Sequence, residues 1–150
     1  EATVIEISGA YKRYHCPMAR TVFLGKEDQQ KLDVMNKTIE ALEEGKSAIK
    51  AGVTADSVAQ TFWKVLDKYN IKKDSRTGYS IGAGFPPDWG ERTVNISKGD
   101  PTILQTNCTL HMIAVMQMGD WGVEVSEAMR VTDNGFEAFC NFPKELVFKN

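Results

Sequence analysis

Residues 78–91 read GYSIGAGFPPDWGE. Tyr79, Ser80 and Ile81 form a short apolar strand end that runs into a glycine- and proline-rich loop. Gly82 and Gly84 carry no Cβ, so their backbone can approach a neighbour closely. Pro86 and Pro87 stiffen the path, because proline fixes its own φ and restricts the residue before it. Asp88, Trp89 and Glu91 follow at once. An aromatic and two carboxylates on a stiffened loop predict a pocket wall; the competing reading is a surface loop with a structural Trp.

Upstream of this loop the pattern changes twice. Residues 3–8 alternate, with Val4 and Glu6 on one face and Ile5 and Ile7 on the other. Gly9-Ala10 is a turn candidate, and residues 11–24 are a return strand interrupted or bulged at Pro17. From Lys26 to about Ala51 the apolar positions Leu32, Met35, Ile39, Leu42 and Ile49 follow helical spacing. Gly52 ends this helix. Thr54 caps a second one, whose stripe is Val58, Phe62, Val65, Leu66 and Tyr69, and Asn70 ends it. Residues 26–70 therefore cover one face of a sheet and carry no chemistry.

Downstream, residues 98–101 are a turn. Residues 107–118, NCTLHMIAVMQM, read as a central strand, and Gly119-Asp120 turns it back. Residues 121–132 alternate, with Val123, Val125 and Glu127 opposing Glu124, Ser126 and Ala128. Asp133-Asn134-Gly135 is a turn and residues 136–140 a last strand. Strands, two helices, then strands predict an α+β fold with helices on one face of a curved antiparallel sheet. Asp88-Trp89-Gly90-Glu91 and Asp120-Trp121-Gly122-Val123-Glu124 each set a Trp shortly before a Glu. We read these as two walls of one pocket.

At 150 residues, 42% hydrophobic and 25% charged, the chain is ordinary for one globular domain. A net charge of −2 leaves no basic patch for nucleic acid. No apolar run approaches the ~20 residues that span a bilayer. Cys16, Cys108 and Cys140 fit no zinc spacing and read as reduced thiols, which suits a cytoplasmic protein. The first residue is not Met and a strand pattern runs by Thr3, so we expect the chain to be cut from something longer.

The motif around Tyr79 resembles the segment of the creatinase/prolidase (M24, pita-bread) superfamily in which a glycine-histidine pair opens a strand and loop over the active site. The PPDWGE continuation, with RYHCPMART at residues 13–21, is most similar to the ectoine hydrolase group. The resemblance runs from about Glu6 to the C-terminus. It implies the C-terminal half of a pita-bread catalytic domain, a single fragment over 1–150. Residues 1–25 would be a hairpin from the first half and residues 26–150 the second half. It also implies a homodimer acting on a small molecule, with the isolated fragment inactive.

Metal-dependent members of that superfamily bind two ions through two Asp, one His and two Glu. By resemblance these positions fall here on Glu6, Pro17, Tyr79, Ile113 and Ser126. One carboxylate remains of five ligands, and Pro and Ile have no side-chain donor, so the resemblance implies no dinuclear metal and no cofactor. A single ion held by Glu6, His111 and Glu124 is the minor alternative.

A hydrolase without metal works through side chains. Our candidate catalytic residues are Glu6, His111 and Glu124; the candidate substrate-binding residues are Tyr79, Trp89, Glu91 and His15. Glu6 is a carboxylate in an apolar strand, suited to a base or nucleophile. His111 lies two positions before Ile113 and on the same face. Glu124 shares a face with Ser126, and His15 one with Pro17. Arg20 reads as structural. The expected activity is metal-independent hydrolysis of a C–N bond in a small cyclic amidine, ectoine hydrolase-like. The alternatives are a creatinase-like or Xaa-Pro dipeptidase-like hydrolase, or a non-catalytic binding module.

Overall fold

The computed structural model describes residues 1–85 and 87–149; the stiffening assigned to Pro86 lies outside the described residues. The order is β1 (Ala2–Tyr11), β2 (Tyr14–Leu24), α1 (Gln29–Ser47), α2 (Ala55–Lys68), β3 (Gly78–Ile81), β4 (Gly90–Ile96), β5 (Thr109–Met118), β6 (Trp121–Val131), β7 (Phe136–Ala138) and β8 (Val147–Lys149). Strands β4-β3-β5-β6-β7 form one antiparallel sheet, and β1-β2-β8 a second, in which β8 runs parallel to β2.

Helix α1 starts where the Asp28 carboxylate accepts the Gln30 and Lys31 amides, three residues later than the apolar spacing suggested. Helix α2 starts as expected, with Thr54 Oγ1 accepting the Ser57 amide at 3.2 Å. The two helices pack closely at Gly45, where a Cβ would meet Phe62 Cβ and Met112 Cε, each at 3.1 Å. Their buried stripes, Met35, Ala41, Leu42, Val58, Phe62 and Leu66, cover one face of β5 and β6 at Leu110, Met112, Ala114, Val123 and Val125. Each large side chain fully buried here contributes about 1.5–3 kcal/mol. Strand alternation leaves His111, Ile113, Glu124, Ser126 and Ala128 on the opposite face.

The first hairpin differs from the expectation in two ways. The chain passes Gly9-Ala10 extended and turns at Lys12 and Arg13, with φ of 49° and 72°. Two successive left-handed residues make the tight turn that matches strand twist, so turn geometry overrode residue preference. Strand β2 is also unbroken at Pro17, which pairs in register with Ser8. The Ala19 amide, two residues on, points away from β1 to the Ser126 hydroxyl. By alternation the Pro17 nitrogen also points away from β1, and the ladder loses nothing.

Two strands escaped the sequence reading. Strand β4 is mostly polar, and the short β8 gains its place by pairing beyond β2; the expected strand at 136–140 shortens to Phe136–Ala138.

Hairpin β1–β2 lies across β6. Ala19 N–H donates to Ser126 Oγ at 2.7 Å, and Thr21 Oγ1 donates to the Glu124 carbonyl while accepting the Glu124 amide. Arg20 clamps this crossing, donating to the carbonyls of Ala19, Ser126, Phe142 and Pro143. Its guanidinium is spent on these carbonyls and on the buried Glu127 carboxylate at 3.9 Å, which fits its structural reading. The cross-strand partner of Ala19 is Glu6, which therefore shares the face turned to the sheet. Among the described residues no helix is long and apolar enough to cross a membrane.

Candidate active site

Strands β3, β5 and β6 place three polar side chains in one line. Tyr79 pairs with His111, and His111 with Ala128, one alternate position from Ser126. His111 Nδ1 lies 2.9 Å from the Tyr79 hydroxyl, and Nε2 lies 2.6 Å from Ser126 Oγ. The line continues at both ends. Trp89 Nε1–H donates to the Tyr79 oxygen at 2.9 Å, and the Ala19 amide donates to Ser126 Oγ.

His111 is fully buried, and burial pushes its pKa down to about 3, so the ring is neutral at physiological pH. Two proton arrangements satisfy the line. Either Tyr79 donates to Nδ1 and Nε2–H donates to Ser126, or Ser126 donates to Nε2 and Nδ1–H donates to Tyr79. The ring thus fixes both hydroxyls.

Two carboxylates stand near this line. Glu124, half-buried on β6, is pushed up to about 7 by burial first and then by the Glu6 charge, with Lys73 opposing. Glu6 is more than a third open to solvent, yet partial burial still raises its carboxyl. Tyr79 lies within the field of both. Burial raises its hydroxyl most, the Trp89 hydrogen bond lowers it, Glu6 and Glu124 raise it, and Arg76 lowers it.

His15 also reaches the site. Its ring centroid is 6.5 Å from that of Trp89, its Nδ1 is 3.4 Å from Ser8 Oγ, and its buried Nε2 has no partner among the described residues. The tip of hairpin β1–β2 ties the central loop down, with His15 N–H donating to the Gly82 carbonyl and Gly84 N–H to the Arg13 carbonyl.

The structure thus brings together Glu6, His15, Tyr79, Trp89, His111 and Glu124 of the expected set. Glu91 does not join them. It is exposed, and its carboxylate is taken by the hydroxyl of Thr93, which also reaches Ser80, on the face of β3 opposite Tyr79. A register shift between Tyr79 and Ile81 against β4 turned it away. Nor do Trp89 and Trp121 wall one pocket. Trp121 packs on Phe23 at the far end of β5–β6, seven residues or roughly 24 Å along β5 from His111.

Two residues near the site were missed by sequence. Lys73 is buried, donates to Ser75 Oγ at 2.6 Å, and is pushed down to about 8 by burial against the pull of Glu124. Arg76 lies with its guanidinium 4.4 Å from the Tyr79 ring centre. Both sit in the irregular segment before β3, where no periodicity marks orientation.

The donor set does not fit a pair of divalent ions. Pro17 and Ile113 offer no donor, the Tyr79 and Ser126 oxygens are engaged as described, and only Glu6 supplies an anionic oxygen. Among the described residues no three His, Cys, Asp or Glu side chains gather closely enough to hold an ion, so the alternative of Glu6, His111 and Glu124 around one metal is not formed.

Residues 1–133 match the metallopeptidase family M24. The chain is 38% identical over 150 residues to ectoine hydrolase of Halomonas elongata, covering 99% of this chain and 38% of that protein. It is 20% identical to Xaa-Pro dipeptidase of Pyrococcus horikoshii, over 98% of this chain and 41% of that protein. Among solved structures it is similar to dipeptidase PepE from Mycobacterium ulcerans, with a TM-score of 0.89 at 24% identity, covering 98% of this chain and 39% of that one. It thus spans about two fifths of the length of these relatives. The pita-bread fold and the match over nine tenths of the sequence establish that this chain belongs to metallopeptidase family M24.

Proposed function

We propose that the protein is a metal-independent hydrolase of a C–N bond in a small cyclic amidine, similar in activity to ectoine hydrolase. The observation that carries this reading is the pair of carboxylates Glu6 on β1 and Glu124 on β6, near enough that the Glu6 charge raises Glu124 and both raise the Tyr79 hydroxyl. A carboxyl near 7 is half protonated at neutral pH and suits proton transfer in both directions. In this mechanism Glu6 takes the proton of the water that attacks the amidine carbon, or attacks that carbon itself to form an ester-like adduct that water hydrolyses after the C–N bond has broken, freeing the carboxylate. The C–N bond then breaks, and Glu124 gives its proton to the departing ring nitrogen. The product is an N-acetylated diamino acid.

His111 acts here as a positioning residue. Buried and neutral, it holds the Tyr79 and Ser126 hydroxyls while Tyr79, Trp89 and His15 wall the substrate. A flat amidinium is attracted by aromatic faces and by carboxylates, and this site has both. The activity belongs to a protein of the relatives' length, so we expect the isolated 150-residue chain to be inactive. A homodimer and a cytoplasmic location are part of the same proposal. The test is a ring-opening assay on the whole protein, comparing ectoine with creatine and Xaa-Pro dipeptides. Opening of the ring supports the reading; preference for creatine or a dipeptide replaces it; binding without turnover of any makes the protein a binding module.

A further inference from the structure

Beside Tyr79 and Trp89 opens a cleft of about 290 Å³, lined also by Arg76, Pro87, Asp88, Gly90 and Arg92. None of its charged residues has a part in the mechanism above. Its two arginines differ. Arg92 sits at φ 72°, a left-handed conformation unusual for its type, and pairs with Asp88 four residues earlier. Asp88 is further held by the Gly90 amide at 2.9 Å, so Arg92 and Asp88 neutralise each other at the rim. Arg76 has no such partner. Its Nη1 donates to Asn95 Oδ1 at 2.7 Å, and among the described residues it forms no ion pair. Asn95 is the cross-strand partner of Tyr79, so this bond holds the guanidinium against the tyrosine ring. A guanidinium fixed over a ring and with N–H groups to spare is pre-organised for a planar anion.

We infer that Arg76 is the carboxylate-recognising residue of this site, and that the cleft between Arg76, Tyr79 and Trp89 restricts the enzyme to substrates bearing a carboxylate beside their cationic or polar reacting group. The inference rests on the catalytic reading, which places the cationic end of a substrate between Glu6 and Glu124. It adds the other end. Tyr79 lies under the influence of both carboxylates and of Arg76 together, so a zwitterion lying on this ring meets opposite charge at each end. An uncharged or purely cationic amidine would leave Arg76 without its counter-charge and bind less well.

The test measures binding by calorimetry to the whole protein, wild type against Arg76→Gln and Arg76→Lys. Two ligand pairs are used: ectoine and the same ring without its carboxylate, then a proline-terminated dipeptide and its C-terminal amide. Wild type should prefer the carboxylate member of at least one pair. Arg76→Gln should weaken that member about 10- to 100-fold, the worth of a charge-assisted hydrogen bond, and leave the other within about twofold. Arg76→Lys should recover only part of the loss, since a point charge does not replace the planar fork. Arg76 is exposed, so unchanged thermal melting of the variants is expected. Preference confined to the dipeptide pair would overturn the amidine reading and keep the Arg76 assignment. No preference in wild type, or equal weakening of both members of a pair by Arg76→Gln, would overturn the assignment itself.

Discussion

His111 Nε2 lies 2.6 Å from Ser126 Oγ, and the same oxygen accepts the Ala19 amide from a strand of the other sheet. One hydroxyl therefore joins β5, β6 and β2 at a point with no access to water. Ser126→Ala should strand both the buried imidazole and the Ala19 amide, at a cost of about 1–3 kcal/mol. Denaturant unfolding measures this, with Ser126→Thr as the control that keeps the hydroxyl. An alanine variant as stable as wild type would mean the line contributes nothing.

Glu6→Gln should behave differently. Glu6 lies open on β1 and no ion pair holds it among the described residues, so stability should hold. Turnover of the whole protein should fall at least ~100-fold, as when a base or nucleophile is lost. A wild-type rate would remove Glu6 from the mechanism.

Glu124 predicts a pH dependence. Burial and the Glu6 charge raise its folded pKa from the usual 4.5 to about 7, so the folded state favours the protonated form. Its contribution to stability is complete below the unfolded pKa and is lost as pH rises through 7. Buried His111, held down to about 3, adds stability as pH rises toward 6.5 and opposes this loss, so the readout is the difference: Glu124→Gln should gain stability relative to wild type as pH rises from 4.5 to 7. An unchanged slope in the variant would assign the dependence to another group.

Metal independence can be tested directly. The purified whole protein should contain no stoichiometric divalent metal by elemental analysis and should keep its activity after a strong chelator. The donors at the five family positions are Glu, Pro, Tyr, Ile and Ser, and only the first binds hard ions well at neutral pH. Activity lost to chelator and restored by Mn²⁺, Co²⁺ or Zn²⁺ would return the protein to the dipeptidase chemistry of its relatives.

Several features of the molecule were legible in the residues alone. Helical spacing at Leu42, Phe62 and Leu66 foretold which face the helices cover, and alternation at Val123, Val125 and Ser126 foretold which side chains lie on that face and which opposite it, because both periods follow from backbone geometry. Thr54 and the glycines at 99 and 119 marked their cap and turns, since cap and left-handed positions select residue types directly, whereas α1 ends at Ser47, short of the Gly52 expected to stop it. The motif around Tyr79 foretold the family.

The tertiary structure decided what depends on neighbours distant in the chain. It turned Glu91 away through a register shift, separated Trp121 from Trp89, and kept Pro17 in line by directing its nitrogen away from β1. It also put Arg76 on the Tyr79 ring and Lys73 within reach of the Glu124 charge, both from a segment with no periodicity of its own. Strand pairing and the crossing of β2 over β6 set these relations. Local sequence fixes which way a side chain leaves its strand, but only the packing of separate strands fixes what that side chain meets.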